Sequence, residues 1–99
     1  MWIPFIDKGK KGKYIGFRVG KYQLYLTTDF SSKLNCEYVD ISYDTETKVI
    51  KLIPNGNMYK LVKNKGNQRI INAFISSVMP MGKYIFIEEL EGFVCKLLA

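Results

Sequence analysis

Ninety-nine residues, 47% of them hydrophobic, are enough for one compact core and too few for two. Fifteen Lys and Arg against nine Asp and Glu set a formal net charge of +6, and the absence of histidine removes the commonest general base and the commonest metal ligand. No apolar run approaches the roughly 20 residues that span a bilayer, and the opening MWIPFI is too short and wrongly flanked for a secretory signal. A soluble protein of the cytoplasm is therefore expected (the host cytoplasm for a phage-encoded chain), without a membrane partner.

Residues 1–12 read as an N-terminal arm. MWIPFI is either an edge strand or an exposed anchor for a partner protein, with Trp2 and Phe5 as its contacts. The glycine-punctuated run Asp7 to Lys13 suits neither a helix nor a strand interior. Tyr14 to Arg18 alternates as a strand, Val19-Gly20-Lys21-Tyr22 turns, and Leu24 to Thr27 is a second strand. Thr28 is placed to cap a helix whose apolar residues Phe30 and Leu34, four apart, share one face. A hairpin follows, Tyr38 to Tyr43 and Lys48 to Ile53 about a turn at Asp44-Thr45-Glu46-Thr47.

Beyond the turn Pro54-Asn55-Gly56-Asn57 the plan repeats: strand Met58 to Lys63, turn Asn64 to Asn67, strand Arg69 to Ile71, cap Asn72, and a second short helix carrying Phe74 and Val78. A last hairpin runs from Tyr84 to Glu88 and from Phe93 to Leu98 about Leu90-Glu91-Gly92. The offset between copies is 44 at Phe17/Leu61 and Phe30/Phe74, 46 at Tyr38/Tyr84 and 45 at Leu52/Leu97, so insertions fall in loops. The expected organisation is a single domain, 1–99, made of two fused β-β-α-β-β units at about 13–54 and 58–99.

Charge is divided between these elements. Lys8, Lys10, Lys11, Lys13, Arg18 and Lys21 form one acid-free series, and Lys48, Lys51, Lys60, Lys63, Lys65, Arg69 and Lys83 another. Carboxylates gather at Asp29, Glu37, Asp40, Asp44 and Glu46 and at Glu88, Glu89 and Glu91. In both copies the hairpin before the helix is basic and the one after it is acidic at its turn, so a pseudo-twofold would let the basic hairpins share one side.

Enzyme chemistry finds no support. Glu88 and Glu89 are adjacent on a strand and point to opposite faces, and no serine, cysteine or lysine has the context of an activated nucleophile. Gly9-Lys10-Lys11-Gly12-Lys13 has no strand before it or helix after it, as a phosphate loop requires. Cys36 and Cys95 lack metal-ligand spacing and read as two free thiols. Neither cofactor nor metal is expected.

Leu26-Thr27-Thr28-Asp29-Phe30-Ser31-Ser32-Lys33-Leu34-Asn35-Cys36, followed by Val39, Ile41 and a strand ending Ile50-Lys51-Leu52-Ile53-Pro54, resembles the AbrB/MazE/SpoVT family of swapped-hairpin β-barrels. The resemblance covers about a third of the chain well and implies a mainly β fold with two short helices, a pseudo-twofold barrel that one chain supplies as a pseudo-dimer or that assembles as a homodimer. It also implies DNA contacts from the hairpin before each helix, at Arg18 and Lys21 and at Lys63, Lys65 and Arg69. The chain departs from the family pattern at Thr27 and Ile71, where the family has proline, at Ser31 and Ile75, where it has a basic residue, and at Asn35, which replaces the glycine ending the helix and can adopt the left-handed conformation.

Two functions are expected from these readings. The first is nucleic-acid binding, to single- or double-stranded DNA, through Lys10, Lys11, Lys13, Arg18, Lys21, Lys60, Lys63, Lys65 and Arg69, mainly to the backbone as an accessory transcription or replication regulator. Tyr14, Tyr22 and Tyr59, with Phe17 and Tyr25 also interleaved among the cations, are candidates for base stacking or else core residues. The second is a small modulator or inhibitor of a host or partner protein, of phage or plasmid type, bound through Trp2 and Phe5.

Overall fold

The computed structural model describes residues 14–63 and 68–98. Alternating burial builds its strands. In β1 (Gly16–Val19) Phe17 and Val19 turn inward and Arg18 outward, and in β2 (Gln23–Leu26) Leu24 and Leu26 are buried. Helix α1 (Thr28–Leu34) leads to β3 (Tyr38–Asp44) and β4 (Val49–Pro54). Then come β5 (Tyr59–Lys63), β6 (Arg69–Asn72), a 3₁₀ turn (Ile75–Ser77), β7 (Gly82–Glu89) and β8 (Phe93–Leu97).

The strands close into one antiparallel barrel in the ring order β1-β2-β6-β5-β3-β4-β8-β7. Besides the four hairpins, β2 pairs with β6, β3 with β5, β4 with β8 and β7 with β1. Exchanging β1 to β4 for β5 to β8 leaves every neighbour relation unchanged. The interior is filled by inward residues of all eight strands, and at the α1 end by an aromatic cluster. Phe17 stacks on Tyr84 at 5.5 Å between ring centroids, and Phe30 lies 5.8 Å from Phe17, 6.1 Å from Phe86 and 5.9 Å from Phe93. The Tyr84 hydroxyl donates to the Pro80 carbonyl at 2.7 Å, which satisfies it inside the core, and burial raises its pKa.

Helix α1 begins one residue earlier than expected. Thr27, extended at φ −68 and ψ 157, is the N-cap, and its Oγ1 accepts from the Phe30 N–H at 3.3 Å. The same hydroxyl bridges to Gly16, accepting from its N–H at 3.3 Å and donating to its carbonyl at 3.1 Å, so the helix is capped by a residue already anchored to β1. Thr28 is instead the first helical residue. Asp29 in the first turn and Lys33 in the last complement the helix dipole, and Asn35 closes the helix in the left-handed region at φ 43.

The expected second helix does not form: among the described residues there is one α-helix. Asn72 is in β6, where its Oδ1 accepts from Gln23 Nε2 at 3.1 Å rather than capping a helix. Phe30 and Leu34 are buried, whereas Phe74 and Val78, matched to them in the expected repeat, are 67% and 44% exposed. Ala73, Ile75 and Met79 are buried instead. Pro80 disfavours the helical region for Met79, and the segment closes as a single 3₁₀ turn. The match of Tyr38 with Tyr84 in the expected repeat does not extend to burial. Tyr38 is 40% exposed and Tyr84 fully buried, so Val39 is the residue that shares the inward face with Tyr84. A slip of one on a period-two strand moves every side chain to the other face.

Both cysteines are free, Cys36 half-buried and Cys95 wholly enclosed by the barrel. Burial pushes the Cys95 thiol up to about 12, leaving almost no thiolate at mildly alkaline pH. Iodoacetamide at pH 8 is therefore expected to label the native protein once, at Cys36, with the second label entering only in denaturant. Intact-mass spectrometry reads this directly, and rapid labelling of both thiols in native buffer would contradict an enclosed Cys95.

Candidate nucleic-acid interface

The ring order sorts the hairpins by charge. The β1–β2 and β5–β6 hairpins, which carry Arg18, Lys21, Lys60, Lys63 and Arg69 and no acid among their described residues, meet at β2–β6 and form four contiguous strands. The β3–β4 and β7–β8 hairpins, with Glu37, Asp40, Asp44, Glu46, Glu88, Glu89 and Glu91, form the other four with β3 or its flank supplying the first of these. Two of these carboxylates fasten turns. Asp40 Oδ1 accepts from the N–H groups of Asn57 at 2.9 Å and Met58 at 3.1 Å, and Asp44 Oδ1 accepts from Glu46 at 2.9 Å.

Across the basic half, register aligns one outward row. Lys83 of β7 lies opposite Arg18, Arg18 opposite Tyr25, Tyr25 opposite Ile70, and Ile70 opposite Val62. Two cations, an aromatic ring and two aliphatic groups thus follow one another over five strands. The Arg18 guanidinium sits over the Tyr25 ring at 4.5 Å, and the Lys83 ammonium lies 5.3 Å from the Tyr14 ring centroid. The Tyr25 hydroxyl donates to Gln23 Oε1 at 2.6 Å, continuing to Asn72 through the Gln23 amide. Arg18 and Lys83 are exposed like charges directly opposite each other, an arrangement that costs the free protein stability and that a bound anion would relieve.

Tyr14, Arg18 and Tyr25 also line a cleft of about 410 Å³ with Leu26, Thr27, Thr28, Asp29 and Gln68. Burial raises the Tyr14 pKa, and the Arg18 charge acts in the opposite direction. Lys63 and Arg69, cross-strand partners on β5 and β6, line a second cleft of about 270 Å³ with Ser31, Ser32 and Asn35. Arg69 Nη1 donates to the Cys36 carbonyl at 2.6 Å, which pins one edge of its guanidinium to the backbone.

The remaining candidates disperse. Lys60 projects outward from β5 beside β3. Lys21 is on the β1–β2 turn with its ammonium 5.3 Å from the Tyr22 ring, and Tyr22 meets Phe74 edge-on at 5.1 Å. Tyr59 is half-buried and packed against the core, and Phe17 is fully buried, which removes it as a stacking residue. Trp2, Phe5, Lys10, Lys11, Lys13 and Lys65 lie outside the described residues. Lys83 was not among the candidates from sequence. Its membership of an acid-tipped hairpin hid it, and the acid-free run up to Ile87 was the signal that could have found it.

Among the described residues no helix is long and apolar enough to cross a membrane. The fold and its charge division thus define a closed eight-stranded antiparallel barrel with one cationic half. No family model matches the chain, and no curated protein or solved structure matches it either.

Proposed function

We propose that this is a small DNA-binding protein whose working surface is the four-stranded half β1-β2-β6-β5 with Lys83 at its border. The observation that carries this reading is the contiguity of two acid-free hairpins in the ring. Lysine and arginine neutralise phosphates and release counterions, and a face where they are not interrupted by carboxylates retains that attraction. Lysines outnumber arginines, so contacts to the backbone dominate over bidentate reading of guanine. An accessory role in transcription or replication suits such a protein. The unchanged ring order on exchange of halves supports two fused swapped-hairpin units of the AbrB/MazE/SpoVT type, the helix of the second reduced to the 3₁₀ turn.

Fluorescence anisotropy of labelled DNA across a salt series tests the reading. Binding at low salt is expected to weaken linearly in log–log form, by roughly 0.7 to 0.9 of a unit slope for each phosphate neutralised. Absence of binding to both single-stranded and duplex DNA at low salt would sink it.

A second reading, a modulator of a partner protein, is favoured by one feature. Ile41, Tyr43, Tyr59, Phe74, Ile75 and Val78 line a surface groove of about 310 Å³ beside the 3₁₀ turn, with Tyr43 and Phe74 exposed.

A further inference from the structure

Resting on the DNA-binding reading, we infer that the cleft lined by Tyr14, Arg18 and Tyr25 seats one unpaired nucleobase, so that the target is a single strand rather than a duplex. Each aromatic ring of the cleft has a cation beside it, Arg18 over Tyr25 and Lys83 against Tyr14, and the two cations are cross-strand neighbours. Two rings joined to two adjacent positive charges match the parts of a nucleotide, a flat base and its phosphate.

Asp29 lines the cleft with Thr28 and Gln68, and its negative charge opposes a phosphate beside it while offering an acceptor to the amino group of cytosine, adenine or guanine. The phosphate is left to Arg18, which lines the cleft with its guanidinium over Tyr25, and to Lys83 beside Tyr14. At about 410 Å³ the cleft is within the range of small-molecule sites. A duplex keeps its bases stacked on each other and offers only their edges, so it cannot fill a recess between side chains. An unpaired base can, because every base has a face on which an aromatic ring stacks. Gln68, of the cleft lining, precedes Arg69, which with Lys63 lines a second cleft and offers the next backbone position along the strand.

The test uses a fluorescein-labelled 15-nucleotide oligo(dC) and a mixed-sequence duplex of equal length, titrated by anisotropy at low salt with wild type, Tyr14→Ala and Tyr14→Trp. Tyr14 precedes β1 and holds no place in a strand, so its removal leaves the barrel pairing intact. Matched melting curves check this, and the tryptophan variant keeps an aromatic face if alanine disturbs the fold. The expected result is tighter binding of the single strand, about a tenfold loss of that affinity in Tyr14→Ala, no change for the duplex, and recovery in Tyr14→Trp. Equal affinity for both forms, or a single-strand affinity that Tyr14→Ala leaves unchanged, overturns the base seat while leaving salt-dependent DNA binding in place. Failure of both forms to bind overturns the DNA-binding reading and the base seat with it.

Discussion

Replacing Gly16 by alanine is expected to unfold the barrel. Gly16 has a φ of +155, and a Cβ built there falls 2.0 Å from the carbonyl oxygen of Tyr84 and 3.1 Å from its carbonyl carbon. These are backbone atoms of the paired strand β7, which cannot swing aside as the end of a side chain can. Relief therefore requires β1 and β7 to separate at the seam that closes the ring. Gly16 also exchanges hydrogen bonds with Thr27, whose hydroxyl caps α1, so displacement of β1 disturbs the helix entry as well. The cost is at least about 4 kcal/mol, a large share of the roughly 5–15 kcal/mol that holds a domain of this size folded. Gly20→Ala is the control. Its Cβ meets the edge of the half-buried Tyr25 ring at 3.0 Å and the Gln23 carbonyl oxygen at 3.3 Å, contacts far looser than the 2.0 Å one at Gly16 and relieved by a shift of a few tenths of an ångström. Circular dichroism and urea melts are expected to show Gly20→Ala folded and Gly16→Ala unfolded or strongly destabilised; a cooperative melt of Gly16→Ala near wild type would refute the β1–β7 seam.

The second large effect concerns binding. Reversing both charges of the facing pair, Arg18→Glu with Lys83→Glu, is expected to lower affinity for single-stranded DNA on the order of 100-fold at low salt and to flatten the salt dependence by roughly 1.4 units of log–log slope, two phosphate contacts at about 0.7 each. Stability is expected to fall by only about 1 to 2 kcal/mol, the loss of two surface cation–π contacts, because both positions are exposed and one like-charge cross-strand pair replaces another. The comparison is informative because loss of fold and loss of binding are read separately, by melting and by anisotropy. An affinity within threefold of wild type would remove this face as the DNA-binding surface and direct attention to the apolar groove by Phe74.

Much of the local structure was legible because its causes are local. Inward and outward residues alternate in Phe17-Arg18-Val19 and Leu24-Tyr25-Leu26 as a strand with one buried face requires. The Asp44–Thr47 turn, the Phe30/Leu34 face and Asn35 as helix terminus also depend on near neighbours. The failures follow from forces of longer range. Thr27 displaced Thr28 as cap because its hydroxyl also engages Gly16 on another strand. Phe74 and Val78 have the spacing of a helix face, yet Pro80 and the packing of Ala73, Ile75 and Met79 decide the conformation of that segment.

The sequence by itself determined the mainly β class, the approximate strands, the first helix, and the division of charge among hairpins, since periodicity, capping chemistry and composition act within a few residues. Only the tertiary structure decided which hairpins adjoin, that β7 closes the ring against β1, and hence that Lys83 faces Arg18 beside Tyr14 and Tyr25. Those pairings join residues remote in the chain, and their register is set by how all inward side chains fill one closed interior, a condition that no single segment carries.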